Sequence, residues 1–275
     1  MTLGGSGGDL ERQLIAEEVR AQRETRRLTQ DELARQIGFS HSTVKNIESG
    51  YRMPTREQAA LLDKVFGTAG MLCRLEARIR AAPISPGFRP FVAAEAEART
   101  IKTFEHTLVP GLLQTEDYAR TLVEAYPGLT SDEVTARVAA KLNRQRVLDT
   151  EEPPWLWAVI DEHVLRREIG GPGVMAAQLA KLAEFARRPR ITIQLISAAR
   201  AHTALAGAFV IAELARQPAV AYLDTVLDGQ TVQDPAMVEM TTVVFDTIRT
   251  DAYSGDESLE LIEEGVQQWK QRTAS

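Results

Sequence analysis

His41, Ser42, Thr43, Lys45 and Asn46 form a dense set of hydrogen-bond donors and acceptors with no large apolar member among them. Placed on one helix, they would offer the chemistry that base edges answer in the major groove of DNA. His41 and Ser42 would face the groove first and touch base edges. One turn on, Asn46 has the geometry to pair with adenine, and Lys45 to meet guanine or a phosphate. Thr43 is expected on the backbone, and Arg52, beyond the stretch, on a phosphate.

Such a face needs two short helices that cross steeply, and the surrounding residues predict them. Thr29 with Glu32 reads as a capping box that opens a first helix, and Ser40 is placed to cap the second. Ala34 is small where the two helices must touch, and Gly38 stands where the first must end with φ > 0. Leu33, Ile37, Val44 and Ile47 recur at helical spacing and close a small core beneath the exposed face. This is the layout of a helix-turn-helix. An amphipathic helix from Asp9 to Arg27 precedes it. After Pro54, Thr55 can cap a fourth helix through Leu61, Leu62, Val65 and Phe66, and a fifth is expected from about residue 68 to 80. The predicted organisation is a flexible tail at 1–8, a five-helix bundle at 9–80, a linker at 81–90 with Pro83, Pro86, Gly87 and Pro90, and a second domain at 91–275.

The 275 residues carry a net charge of −6, with 44% hydrophobic and 25% charged residues, which are the proportions of an ordinary soluble protein. The charge is uneven. Residues 1–80 hold 13 Lys plus Arg against 11 Asp plus Glu, leaving 19 against 27 for the remainder. Binding to DNA would then rest on a local basic edge, with Arg26, Arg27, Lys45, Arg52 and Arg56 as candidates, and modest affinity per monomer predicts a homodimer. No apolar run approaches a membrane span, and the start of the chain has no basic region before an apolar run, so a cytoplasmic protein is expected. Cys73 is the single cysteine, which excludes an internal disulfide and a cysteine metal cluster; it reads as a buried structural thiol.

Beyond residue 90 helical patterns alternate with short β-branched or aromatic runs. Residues 155–160, 191–196, 208–211 and 219–223 read as strands. Helices are expected at 116–125, 131–150, 162–169, 173–187, 235–251 and 258–269. The fold class predicted is α+β multidomain, a helix-turn-helix bundle followed by a mixed α/β regulatory domain whose small sheet is covered by helices. Enzyme chemistry finds little support. Asp161-Glu162-His163 reads as a helix start, and Gly170-Gly171-Pro172-Gly173, lacking the lysine of a phosphate loop, as a turn between helices. His202 reads as a loop histidine. Trp155 and Trp157 share a strand face, to be buried against helices or at a dimer seam.

From Ser40 to Gly50 the first domain resembles the xenobiotic-response-element type of helix-turn-helix regulator, whose layout phage repressors share. In that arrangement Gln30 sits at the amino end of the first reading helix, bonding a phosphate and bracing the second. The second domain is similar to the regulatory module of a large actinobacterial family of antitoxin-like transcriptional regulators. Residues 109–120 (Val-Pro-Gly-Leu-Leu-Gln-Thr-Glu-Asp-Tyr-Ala-Arg), Arg144-Gln145, residues 162–171, Gln178-Leu179, residues 193–196, His202, Gly207-Ala208-Phe209 and Ser258-Leu259 carry that likeness. The chain departs from the pattern at Ile196-Ser197 and at Phe91. The resemblance implies a repressor of its own or a neighbouring operon, associated with the nucleoid, that answers to a small protein partner. No catalytic residue, cofactor or metal is implied. The alternative is a regulator that senses a small molecule in its second domain.

Overall fold

The computed structural model describes residues 7–81, 83–198, 207–225 and 229–274, so His202 lies outside the described residues. The chain divides into two compact units, Met1–Pro90 and Phe91–Ser275.

The first unit is helical: α1 (Gly7–Thr25), α2 (Gln30–Ile37), α3 (His41–Glu48), α4 (Arg56–Phe66) and α5 (Met71–Ala81). Val19, Leu33, Ala34, Ile37, Val44, Ile47, Leu62, Phe66 and Leu72 are buried together beneath α2 and α3. The helix starts follow the side chains expected to cap them. The Thr29 hydroxyl accepts from the Glu32 backbone N–H while Glu32 reaches back to Thr29, and Thr55 with Gln58 repeats the arrangement on α4. Ser40 caps α3 through the Thr43 backbone N–H. Gly38 ends α2 with φ at 74°. The helix boundaries shift from those expected: α1 already holds Gly7 and Gly8 but stops at Thr25, and α5 runs from Met71 to Ala81. With α6 (Arg89–Ala96) opening at Arg89, the 81–90 segment expected as linker is non-helical only over 83–88 among its described residues.

The second unit is a six-stranded mixed sheet with helices on both faces. After α6 come β1 (Ala98–Glu105), a 3-10 turn (Gly111–Leu113), α7 (Glu116–Glu124), α8 (Ser131–Gln145) and a second 3-10 turn (Arg146–Asp149). Then follow β2 (Trp155–Asp161), α9 (His163–Arg166), α10 (Pro172–Ala186), β3 (Ile191–Ile196), β4 (Phe209–Leu214), β5 (Val220–Leu223), β6 (Gln230–Val232), α11 (Pro235–Asp251) and α12 (Gly255–Ala274). The strand order is β3-β2-β1-β4-β5-β6. The strands from β3 to β1 pair parallel and those from β1 to β6 antiparallel. One face buries Ile101, Leu156, Ala158 and Ile160 against Met175, Leu179 and Leu182 of α10 and Ile262, Val266 and Trp269 of α12. The other buries Phe104, Val159, Ile211 and Val232 against Val238, Phe245 and Ile248 of α11. A Cβ at Gly265 would stand 2.9 Å from Leu179 Cδ1, so glycine is what lets α12 close onto α10.

The expected helix at 131–150 stops at Gln145 and finishes as a 3-10 turn, and that at 162–169 shrinks to α9. β1, β6 and α6 were not expected. Trp157 is half-buried with the Arg249 guanidinium 3.8 Å from its ring centroid, whereas Trp155 stays 46% exposed. Cys73 is half-buried rather than buried. Glutamines stitch the loop after β1: Gln114 Nε2 donates to the Val109 carbonyl at 2.7 Å and Gln178 Nε2 to the Leu113 carbonyl at 2.8 Å. Gln145 Nε2 donates to the Gly111 and Gln114 carbonyls at 3.1 and 2.8 Å.

Candidate nucleic-acid interface

α3 carries the polar face. At about 1.5 Å of rise per residue its eight residues span about 12 Å, which suits the width of a major groove. Positions 41, 42, 45 and 46 fall on one side of it, opposite the buried Val44 and Ile47. His41, Ser42 and Lys45 are exposed and Asn46 is half-buried. Among the described residues the side chains of His41, Lys45, Asn46 and the exposed Arg52 make no hydrogen bond or ion pair, so their donors and acceptors are free for a ligand. Ser42 and Thr43 differ. Their hydroxyls each lie 2.9 Å from the Ser40 hydroxyl, which ties both to the start of α3. Thr43 is half-buried there.

Gln30 is the first residue of α2, and its Nε2 donates to Glu48 Oε2 at 2.9 Å. It therefore braces α3 from α2. Arg26, one of the residues assigned to a basic edge, is engaged inside the unit: its guanidinium lies 5.2 Å from the Phe66 ring centroid and donates to Gln22. Arg27 and Arg56 are exposed.

Sequence reasoning missed the residue that fixes the reading helix. Glu48, at the end of α3, is 2% exposed, and its carboxylate accepts from Arg23 Nε at 2.6 Å and Arg23 Nη2 at 3.0 Å. The fork geometry is the strong one for an arginine and a carboxylate. Arg23 Nη1 also donates to the Leu28 carbonyl at 2.8 Å, and Arg20 Nη2 to the Glu48 carbonyl at 2.9 Å. Two arginines of α1 and one glutamine of α2 thus hold the last turn of α3. The pattern Arg20…Arg23…Glu48 gave no signal on its own, because a charged residue at a helix end reads as solvated unless its distant partner is known.

A second buried carboxylate organises α5. Burial alone would push the Asp63 carboxyl up, but the Thr68 hydroxyl and the backbone N–H groups of Cys73 and Leu72 donate to it and hold it below the usual carboxylate range. Burial, then Asp63 beside it, pushes the Cys73 thiol up, away from reactivity.

No group of three or more His, Cys, Asp or Glu side chains is arranged to hold a metal ion among the described residues, and no described helix is long and apolar enough to cross a membrane. Just ahead of the short helix α9, Asp161 Oδ1 accepts from the His163 backbone N–H at 2.8 Å. Gly170 and Gly171, with φ of 70° and 91°, make the turn from α9 to α10.

Residues 14–74 match a family described as a helix-turn-helix domain. Residues 88–264 match a family described as a domain of unknown function, DUF5753. No curated protein and no solved structure matches the chain. The helix-turn-helix match, the caps and the free polar face of α3 describe a helix-turn-helix regulator that binds DNA. With the second match covering well over half of its length, the chain belongs to the DUF5753 family.

Proposed function

We propose that this DNA-binding transcription regulator works as a homodimer reading an inverted-repeat operator, one half-site to each α3, and represses its own or a neighbouring operon. The observation that carries the reading is the free face of His41, Lys45 and Asn46 on a helix locked in place by Glu48. A rigid reading helix loses little conformational freedom on binding, so its few contacts can act in full. His41, Ser42 and Asn46 take base edges, Lys45 a base or phosphate, and Thr43, Arg52 and Gln30 the backbone. Two α3 helices separated by about one turn of DNA define the operator spacing. The 9–80 bundle reads DNA, the 91–275 domain dimerises and receives the signal, and the protein works in the cytoplasm on the nucleoid.

The signal fits a small protein partner. Met237, Met240 and Val243 are 51%, 64% and 53% exposed on one flank of α11, an apolar stripe of the adaptable kind that contact surfaces use. The likeness to antitoxin-like regulators supports the same reading.

The test is immunoprecipitation of the DNA bound in the native host, with footprinting of the recovered site. Ser42→Ala combined with Asn46→Ala is expected to abolish the specific footprint while fold and dimer persist. An unchanged footprint removes α3 as the reading helix.

A further inference from the structure

Left-handed backbone is costly for any residue that carries a Cβ, and glycine is its default occupant. The first unit follows that rule at Gly38, Gly50, Gly67 and Gly70, with φ of 74°, 72°, 66° and 79°. Among the described residues three others break it: Arg27, Ala69 and Arg190, with φ of 58°, 49° and 65°. A side chain held in such backbone asks what it does that glycine could not. Ala69 brings only a methyl group. Arg190 has its reason inside the fold, since its Nη1 donates to the Pro153 carbonyl at 2.9 Å and its guanidinium lies 5.6 Å from the Trp155 ring centroid.

Arg27 has no such reason within the chain. It is exposed, and its side chain makes no hydrogen bond or ion pair among the described residues. The turn that ends α1 is closed by backbone alone: the Arg27 N–H donates to the Glu24 carbonyl at 2.9 Å and the Leu28 N–H to the Arg23 carbonyl at 3.1 Å. Glycine would close it as well and without the steric cost. The benefit of the arginine must then come from something outside the chain.

The place of the turn says what that is. Arg23, whose Nε and Nη2 grip Glu48 at the end of α3, gives its remaining Nη1 to the Leu28 carbonyl at 2.8 Å. Three residues after Arg27, Gln30 donates to the same carboxylate. The backbone from Arg27 to Gln30 is therefore set against the last turn of the reading helix. In a helix-turn-helix the first helix of the pair crosses the sugar-phosphate backbone while the second lies in the groove, so residues at the start of α2 come over phosphates. That end is otherwise unfavourable to an anion. The first turn of α2 carries Asp31 and Glu32, and one N–H of the Gln30 amide is committed to Glu48. Arg23 is engaged on Glu48, and Arg26 lies over Phe66 and donates to Gln22. Arg27 is the arginine of this turn whose donors are all open.

We propose that Arg27 binds a DNA phosphate beside the start of α2, and that this contact is why a left-handed position holds an arginine. The fork of a guanidinium matches a phosphate, and such a contact fixes the register of α3 in the groove without preferring a base. The contact presupposes that this unit binds DNA, and it supplies the charge that Gln30 cannot.

The experiment measures binding of the full chain to a short mixed-sequence DNA duplex over a range of salt, beside thermal melting of the same samples. A mixed sequence suffices because phosphate contacts act on any duplex. Arg27→Gly relieves the backbone, so it should melt no lower than the unaltered chain. It should nevertheless bind about tenfold more weakly at low salt, with the slope of log K against log salt reduced by about 1. Arg27→Lys keeps a cation and should keep most of that slope. Lys270→Gln removes the same charge from the second unit and should leave the slope unchanged. Unchanged affinity and slope in Arg27→Gly would overturn the proposal, the arginine being merely tolerated. Melting well below the unaltered chain would overturn it by revealing a partner inside the fold, and an equal loss of slope in Lys270→Gln by revealing an effect of net charge. Failure of the unaltered chain to bind the duplex at any salt is a separate result: it removes the DNA reading, and the Arg27 contact with it.

Discussion

Glu48 and Arg23 decide how firmly α3 is held, and they set a clear expectation. Removing one member of a buried ion pair strands the other, at a cost of about 3–5 kcal/mol. Glu48→Ala should therefore lower the thermal stability of the helix-turn-helix unit and weaken DNA binding together, although Glu48 faces α1 and α2. The double variant Arg23→Met, Glu48→Leu should recover most of the stability, because an apolar pair leaves no charge behind; denaturation with circular dichroism reads both. Asp63 gives a pH dependence whose sign follows from its lowered pKa. A carboxyl depressed in the folded state stabilises fully above its unfolded value, about 4, and loses that contribution as pH falls through the folded one. The first unit should weaken steeply below about pH 4, and Asp63→Asn should be less stable at pH 7 but lose less on acidification. At this scale the sequence named the polar side chains that lie on the outer face of α3, whose types are informative by themselves. It did not disclose Glu48 or Asp63, whose importance comes from partners 25 and 10 residues away that only the fold brings near.

Elements were legible where local chemistry sets them. Thr29, Ser40, Thr55 and Gly38 marked the ends of α2, α3 and α4 because a cap or a left-handed residue acts within four positions. A Cβ at Gly38 would meet nothing within 4 Å, so Gly38→Ala should cost only the left-handed backbone penalty, about 1–2 kcal/mol. A loss well beyond that, measured by thermal melting, would mean that the α2–α3 turn tolerates no relaxation. β1 was illegible for the opposite reason. Arg99, Thr100, Lys102, Thr103 and Glu105 make it look polar, yet it lies in the middle of the sheet. Its polar groups are met from distant elements: Lys102 pairs with Glu213 of β4 at 3.0 Å and Asp246 of α11 at 3.6 Å, and the Thr103 hydroxyl donates to the Phe209 carbonyl at 3.4 Å. β6 spans only three residues, too few to show a period. α6 sits among prolines that signal a loop, and its stability comes from Phe91 and Glu95, both buried.

Over the whole molecule the charge is divided, with the acidic excess beyond residue 80 and the residues proposed to face DNA before it. Affinity then depends on a few cations, so the salt dependence of binding should be shallow and each cation countable. Lys45→Ala and Arg52→Ala should each reduce the slope of log K against log salt by about 1 if the side chain meets a phosphate. A slope that stays constant in Lys45→Ala, with relaxed sequence preference, would place Lys45 on a base instead. The two-unit layout also has a consequence in time. The central strand β1 cannot complete its pairing until β4 exists, since Phe104 lies opposite Phe209. Ribosomes add about 5–20 residues per second, so the nascent chain carries β1 with one edge unmatched for about 5–20 seconds, while the helix-turn-helix unit, whose contacts are local, is already able to fold. For that interval each newly made chain carries its helix-turn-helix unit without a completed second unit, and β1's open edge is exposed to mispairing with a neighbouring nascent chain.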